Sequence, residues 1–247
     1  MSRSTTRLHP IAALRAIRAL IRDREDTRQA FLLMDALRGK TSLRQLARFR
    51  KTDVGRAVLA ERRRLFDRLA DRQTLAALPP GSLGRAYYDF MATENLSAEG
   101  LAAASNLDQL PPGEDMTLFR ERTREMHDLL HIVSGYGRDP LGEACVVAFT
   151  FAQTGLKGFA VIALFAAMRI ARAFPGQPVR RTVFEAYRRG RRAGWLVGAD
   201  WENLLAEPLA AVRAQFGIAP STYYPRVIAA IRTDRASAQP PTPAMAA

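Results

Sequence analysis

Cysteine occurs once in this chain, at Cys145, and histidine three times, at His9, His127 and His131. A single cysteine excludes an intramolecular disulfide framework and fits a reducing compartment. Cys145 lies in the apolar run Ala144-Cys145-Val146-Val147-Ala148-Phe149-Thr150-Phe151-Ala152, where it reads as a small buried hydrophobe rather than a nucleophile. No segment alternates apolar and polar residues as a strand would, and there is no internal repeat and no glycine-rich phosphate loop. The most hydrophobic stretch, Gly158 to Met168 between Lys157 and Arg169, is too short to cross a bilayer. Nothing at the start reads as a secretory signal. Arg3, Arg7, Arg15, Arg18 and Arg22 without an acid superficially resemble a mitochondrial transit segment, but the helical apolar spacing over 11–22 favours the first helix of the fold.

Lysine is scarce as well, at Lys40, Lys51 and Lys157, so the net charge of +13 comes almost entirely from arginine. Those arginines are scattered along amphipathic segments such as Glu61-Arg62-Arg63-Arg64 and Arg188-Arg189-Gly190-Arg191-Arg192, without interleaved aromatics or a nucleic-acid motif. An anionic membrane surface uses such charge without a groove-reading element, and it is preferred here to nucleic acid. With 247 residues, 48% of them hydrophobic, the chain is long enough for one sizeable core. Apolar residues recur at three and four over 11–22, 26–37, 54–70, 116–134, 141–156, 159–174, 179–197 and 201–216. That spacing predicts an all-α, single multi-helix domain over 1–235. Breaks fall at Pro79-Pro80-Gly81, Pro111-Pro112-Gly113, Gly135 to Pro140 and Pro175-Gly176-Gln177-Pro178. Asp200 reads as a helix cap and Pro208 as a kink. From Ala236 to Ala247 the composition is that of a disordered tail.

The chemistry concentrates in His127-Asp128-Leu129-Leu130-His131, followed after eleven residues by Glu143. On a helix His127 and His131 share a face, and Asp128 is turned only about 60° from His131. The turn Gly135 to Pro140 starts a second helix, with Glu143 in its first turn. Two imidazoles and two carboxylates form a mixed N/O set suited to Zn, Fe(II) or Mn(II) rather than Ca. A solvent-exposed histidine face is the competing reading. The apolar run after Glu143 favours the metal, because a carboxylate opening a buried helix is costly unless paired or metal-bound.

These residues also carry a resemblance. His127-Asp128-x-x-His131 with Glu143, the downstream Phe151-Ala152-Gln153-Thr154-Gly155, the upstream Leu78-Pro79-Pro80-Gly81-Ser82-Leu83-Gly84 with Tyr88-Asp89-Phe90-Met91, and the Trp201-Glu202 region together resemble the coenzyme Q biosynthesis protein 4 family. The likeness spans most of residues 25 to 220. It implies an all-helical protein of ubiquinone biosynthesis, peripheral on the membrane, with a divalent metal held by His127, Asp128, His131 and Glu143; the apolar run at 158–168 itself reads as a core helix or one lining an apolar lipid-binding pocket. It further implies a metal-dependent carboxy-lyase that removes the C1 carboxylate of a polyprenylated 4-hydroxybenzoate-derived ring, coupled to hydroxylation, with the same four residues catalytic. The arginine bias and the lack of a clear targeting segment point to a bacterial homologue, cytoplasmic and peripheral on the inner face of the cell membrane. A homodimer and other enzymes of the pathway are the expected protein partners.

Zn fits a site that only polarises, and Fe or Mn one that uses O₂. Arg138, Gln153 and Lys157 are candidates for holding an anionic head group, against the plainer reading of exposed helix-end charges. Two other classes compete. One is a non-enzymatic lipid-binding scaffold whose metal merely joins two helices. The other is a zinc hydrolase, since H-D-x-x-H is near H-E-x-x-H, although the twelve-residue step to Glu143 is short for that class.

Overall fold

The computed structural model describes residues 9–22, 27–37, 39–93 and 113–238, and all regular structure among them is helical. In chain order the helices are α1 (Pro10–Arg22), α2 (Thr27–Ala36), α3 (Thr41–Phe49), α4 (Asp53–Glu61), α5 (Leu65–Ala70), α6 (Arg72–Ala77), α7 (Leu83–Thr93), α8 (Glu114–Ser134), α9 (Pro140–Thr154), α10 (Lys157–Ala173) and α11 (Val179–Arg192). A 3₁₀ turn (Leu196–Gly198) then leads to α12 (Trp201–Leu204), α13 (Leu209–Gln215) and α14 (Tyr224–Ala238). The basic segment at 11–22 is indeed a helix. Ala16 of α1 packs with Leu33 and Ala36 of α2 and, through them, on Val161 and Ile162 of α10.

Two expected helices are broken. The 54–70 stretch ends at Arg62, which takes the left-handed conformation (φ 55°) while Arg63 N–H bonds the Val58 carbonyl. A non-glycine residue there is strained. Arg62 is held by ion pairs to Glu114 and Asp115 at the start of α8, 3.1 and 2.7 Å away, contacts that local periodicity cannot foresee. The 201–216 stretch breaks before Pro208, whose neighbours turn back on α7: Leu83 and Gly84 N–H donate to the Glu207 and Leu205 carbonyls, and Leu209 N–H to the Gly81 carbonyl. Asp200 does precede α12, but its carboxylate accepts from the Asn203 side chain (2.7 Å) instead of a backbone N–H. Helices α3, α6, α7 and α14 were not among the periodic segments. The last of these runs to Ala238, into the expected tail; residues 239–247 lie outside the described residues.

The centre of the core is α9, apolar nearly all round, as a helix surrounded by others must be. It packs chiefly against α10 and α11. Contact with α11 is at backbone distance, since a Cβ at Gly190 would lie 2.7 Å from the Phe149 carbonyl oxygen. Near its end, the Gln153 amide donates to the Gly190 carbonyl (2.7 Å) and accepts from Leu196 N–H (2.8 Å). Both ends of that buried amide therefore stitch helices together.

Helix α8 is tied to α12 by a buried ion pair. The Arg122 guanidinium donates to Glu202 (2.7 Å) and to the Ala199 carbonyl (3.0 Å), beside the fully buried Trp201. Burial pushes the Glu202 carboxyl up, and the Arg122 hydrogen bonds and charge more than offset this, so it titrates below the usual carboxylate range. A depressed folded-state pKa stabilises the fold above the unfolded value of about 4.3, and this contribution is lost as pH falls through the lower, folded-state value. Glu202→Gln should therefore lower stability by about 3–5 kcal/mol at neutral pH, because it strands Arg122 in the interior. In urea titrations, the gap between wild type and variant should shrink once pH drops below about 4.

Candidate metal centre

The last two turns of α8 carry His127 and His131 on one face, and α9 returns beside them with Glu143 in its first turn. Between them the chain reverses in five residues. Gly135, in the left-handed region (φ 76°), closes α8, where a side chain would be strained. Asp139 caps α9 by accepting from Leu141 and Gly142 N–H at 3.1 and 3.0 Å, with Pro140 pre-set for the first helical position. A Cβ on Gly142 would stand 2.0 Å from the Gly137 carbonyl oxygen, so the turn closes only with glycine there.

An interior helix end must still satisfy its last four carbonyls. Here each has a partner. The His131 carbonyl accepts from Gly135 N–H (2.9 Å), those of Ile132 and Val133 from the Arg213 guanidinium (2.8 and 3.0 Å), and that of Ser134 from Arg189 (2.9 Å). Two cations at a helix C-terminus also complement its dipole. From α14, the Tyr224 hydroxyl accepts from Gly137 N–H (2.9 Å) and donates to Asp139, locking the turn from outside. Tyr136 stacks edge-on against Tyr224, and the Arg189 guanidinium lies over the Tyr136 ring, 4.9 Å from its centroid.

Within this frame His131 is sealed. Its Nδ1–H donates to the Tyr136 carbonyl (3.0 Å), which turns Nε2 towards the site as the free lone pair, and Phe90 of α7 stacks on its ring. His131 Nε2 lies 3.3 Å from His127 Nε2, and the near oxygen of Glu143 lies 3.5 Å from the first and 3.6 Å from the second. The centre of so nearly equilateral a triangle is about 2 Å from each corner, the length of Zn–N and Zn–O bonds. The three residues therefore fit a divalent cation. The charges agree. Burial pushes the Glu143 carboxyl up, but the hydrogen bonds and charges of His127 and His131 drive it far below the usual range. Burial lowers the basicity of His131, and Glu143 more than restores it.

The expected ligands do not all converge. Among the described residues His127, His131 and Glu143 bring one ligand atom each within 4.8 Å of one another; the Asp128 carboxylate falls outside that set. Asp128 is buried alongside, and burial pushes its carboxyl up despite the imidazole charges nearby. Its angular offset and short arm keep it on the neighbouring side of α8. Of the three head-group candidates, Arg138 adjoins the cluster, its Nε 3.5 Å from the outer oxygen of Glu143. Gln153 lies ten residues further along α9, about 15 Å away, and Lys157 is exposed at the start of α10. His127 and Glu143 are each about one-third exposed, so the triangle opens on one side while His131 closes the other. A second space, a cavity of about 470 Å³, adjoins the start of α9, lined by Leu141, Ile170, Phe174, Ile228 and Ile231 with Arg169 and Arg232.

Comparison with known proteins gives this cluster its family. Residues 6–222 match the family described as coenzyme Q (ubiquinone) biosynthesis protein Coq4. The chain belongs to that family. The match takes in the amino-terminal arm, which the motif resemblance had left uncovered. Among Coq4 relatives, the bovine mitochondrial ubiquinone biosynthesis protein COQ4 homolog is 32% identical over 181 residues, covering 73% of this chain and 67% of that protein. Its human counterpart is 31% identical over 169 residues, covering 68% and 62%. The chain thus spans about two thirds of the length of these relatives. A crystal structure of a protein from Nostoc punctiforme PCC 73102 shares the fold, with a TM-score of 0.65 at 23% identity over 86% of this chain and 99% of that one.

Arg189, Arg213 and Tyr224 had no part in the motif, and Phe90, although it belongs to the segment that carries the resemblance, had no role assigned to it. Tyr224→Phe should unlock the turn, leaving Gly137 N–H without its acceptor and Asp139 with only its two backbone donors on α9. The expected cost is about 1–3 kcal/mol, read as a fall in melting temperature with helicity unchanged at low temperature.

Proposed function

We propose that the protein acts in ubiquinone biosynthesis as a metal-dependent decarboxylase of a polyprenylated 4-hydroxybenzoate-derived ring. What carries this reading is the open triangle of His127, His131 and Glu143 with Arg138 on its rim. A bound cation supplies Lewis acidity for the negative charge that develops as a ring carboxylate leaves. The residues do the rest. Arg138 is the guanidinium within reach to hold the departing carboxylate, and the Tyr136 carbonyl keeps His131 in the tautomer that presents Nε2. Phe90 excludes water from the inner side. O₂ takes two electrons from the phenol, water adds at the ring carbon that bears the carboxylate to give a dienone, and the pair of the ring–carboxylate bond then passes into that dienone as CO₂ leaves. With O₂ as oxidant, one carboxylated ring, one O₂ and one water yield one phenol, one CO₂ and one hydrogen peroxide. We assign the prenyl chain to the cavity beside α9, along Leu141, Ile170, Phe174, Ile228 and Ile231, with Asp139, Arg169 and Arg232 also in its lining.

No helix among the described residues is long and apolar enough to cross a membrane. The lipid substrate and basic surface support a peripheral protein of the cytoplasmic membrane face. A second reading, a structural metal joining α8 to α9 in a lipid-binding scaffold, draws on the complete burial of His131.

Elemental analysis of purified protein should find about one divalent ion per chain, lost in the His127→Ala/His131→Ala double variant; equal metal in both excludes the site. Because the Asp128 carboxylate lies outside the triangle, Glu143→Gln should lose far more metal than Asp128→Asn. The test of function is conversion of a carboxylated polyprenyl phenol by metal-loaded protein, with and without O₂. Folded Glu143→Gln protein that still converts it rules out catalysis. A large fall in melting temperature with activity kept in the folded fraction favours the structural metal.

A further inference from the structure

More than half of the net charge of the chain is concentrated in one helical hairpin. Residues 157–192, which comprise α10, its turn and α11, carry nine basic side chains and one acidic, a net +8 of the total +13. The one acid, Glu185, is engaged elsewhere: its carboxylate accepts from the Ser221 hydroxyl (2.6 Å) and from Thr222 and Tyr223 N–H (2.9 and 3.2 Å).

The outer surface of α11 repeats at helical spacing. Val179, Thr182, Val183, Ala186 and Gly190 face the core, while Arg180, Arg181, Phe184, Arg188, Arg191 and Arg192 are exposed. Five guanidiniums thus surround one phenyl ring that is 60% exposed. Among the described residues none of the five has a carboxylate within ion-pair distance. Antiparallel to it, α10 contains no acid and exposes Leu164 and Phe165, followed within two turns by exposed Arg169 and Arg172. Counting inwards from the turn at 174–178 sets Leu164 level with Arg188 and Phe165 level with Tyr187, on whose ring Phe184 stacks with centroids 6.2 Å apart.

Isolated exposed hydrophobics are ordinary, but a row of them framed by uncompensated arginines is the signature of an interfacial surface. The occupant is set by both halves of the pattern. Five unpaired guanidiniums call for a dense array of anionic groups, and Leu164, an aliphatic side chain that offers a nucleobase no stacking face, calls for hydrocarbon.

We propose that the outer face of the α10–α11 hairpin docks on an anionic lipid bilayer, with Phe184 inserted among the headgroups and the flanking arginines on lipid phosphates. This deepens the peripheral-membrane reading by naming the face that makes the contact, and it does not depend on the metal. Arg169, on the cavity rim, lies on the same helix as Phe165, so docking brings the apolar cavity beside α9 towards the lipid.

The experiment uses the full chain and vesicles of phosphatidylcholine with or without phosphatidylglycerol. Cosedimentation should require phosphatidylglycerol, weaken steeply as salt rises, and resist millimolar glycerol phosphate, which separates a lipid surface from a free-phosphate site. In Phe184→Trp protein, emission should shift to the blue on anionic vesicles and be quenched by brominated lipid. Arg180→Glu/Arg181→Glu/Arg188→Glu should lower partitioning at low salt by at least about a hundredfold. All three sites are exposed; should the triple variant nonetheless misfold, Arg188→Glu alone should reduce the salt dependence. Wild-type partitioning by the folded triple variant overturns the proposal, as does unchanged Phe184→Trp emission or tighter binding to a single-stranded RNA than to vesicles. Conversion of detergent-dispersed substrate reports separately on the catalytic reading: lost docking with intact conversion overturns only the docking face, and docking without conversion overturns only the decarboxylase.

Discussion

Everything at the candidate centre depends on ending a helix inside the protein. To deliver two imidazoles from its last turns, α8 must carry its bare carbonyls into the interior, where water is not there to meet them. Arg213 and Arg189 supply the missing donors, and the left-handed Gly135 supplies the rest. Only with that end satisfied can the chain reverse within five residues and bring Glu143 opposite His127 and His131. The cluster is therefore a local motif that is stabilised by remote residues.

That division explains what could be read in advance. The i, i+4 pair, the turn residues and the carboxylate in the first turn of the next helix follow from spacing alone, and the structure brings those three side chains together. Asp128 shares the sequence neighbourhood but falls outside the set of converging ligand atoms. Arg189 lies in a run that reads as solvated charge, and its bond to the Ser134 carbonyl spans 55 residues. Tyr224 acts on Asp139 from 85 residues away. A signal for them existed in principle: four buried carbonyls need donors, and asking where those donors come from would have directed attention to later arginines.

The fold was legible to a similar depth. All-helical character followed from periodicity, as did the positions of α8 to α11. The break at Arg62 was hidden because no glycine marks it: an arginine takes the left-handed position, the local cap bonds run to the Val58 carbonyl, and its side chain pairs with acids at the start of α8. Gln153 shows the same limit. A polar side chain in an apolar helix suggests a ligand contact, whereas its two backbone partners, on α11 and the following turn, make it a joint between segments.

The close approach at Gly190 has a mechanical consequence. With the α11 backbone against the Phe149 carbonyl, a slip of α11 that brought Ala186 to this point is opposed, because even one Cβ there would stand 2.7 Å from that oxygen. Close packing along the two helices favours their moving together. A load applied to the outside of α11 is then transmitted through rigid contact to the helix that bears Glu143, while bending is left to the short joints at either end, as in a lever whose two arms are cast in one piece.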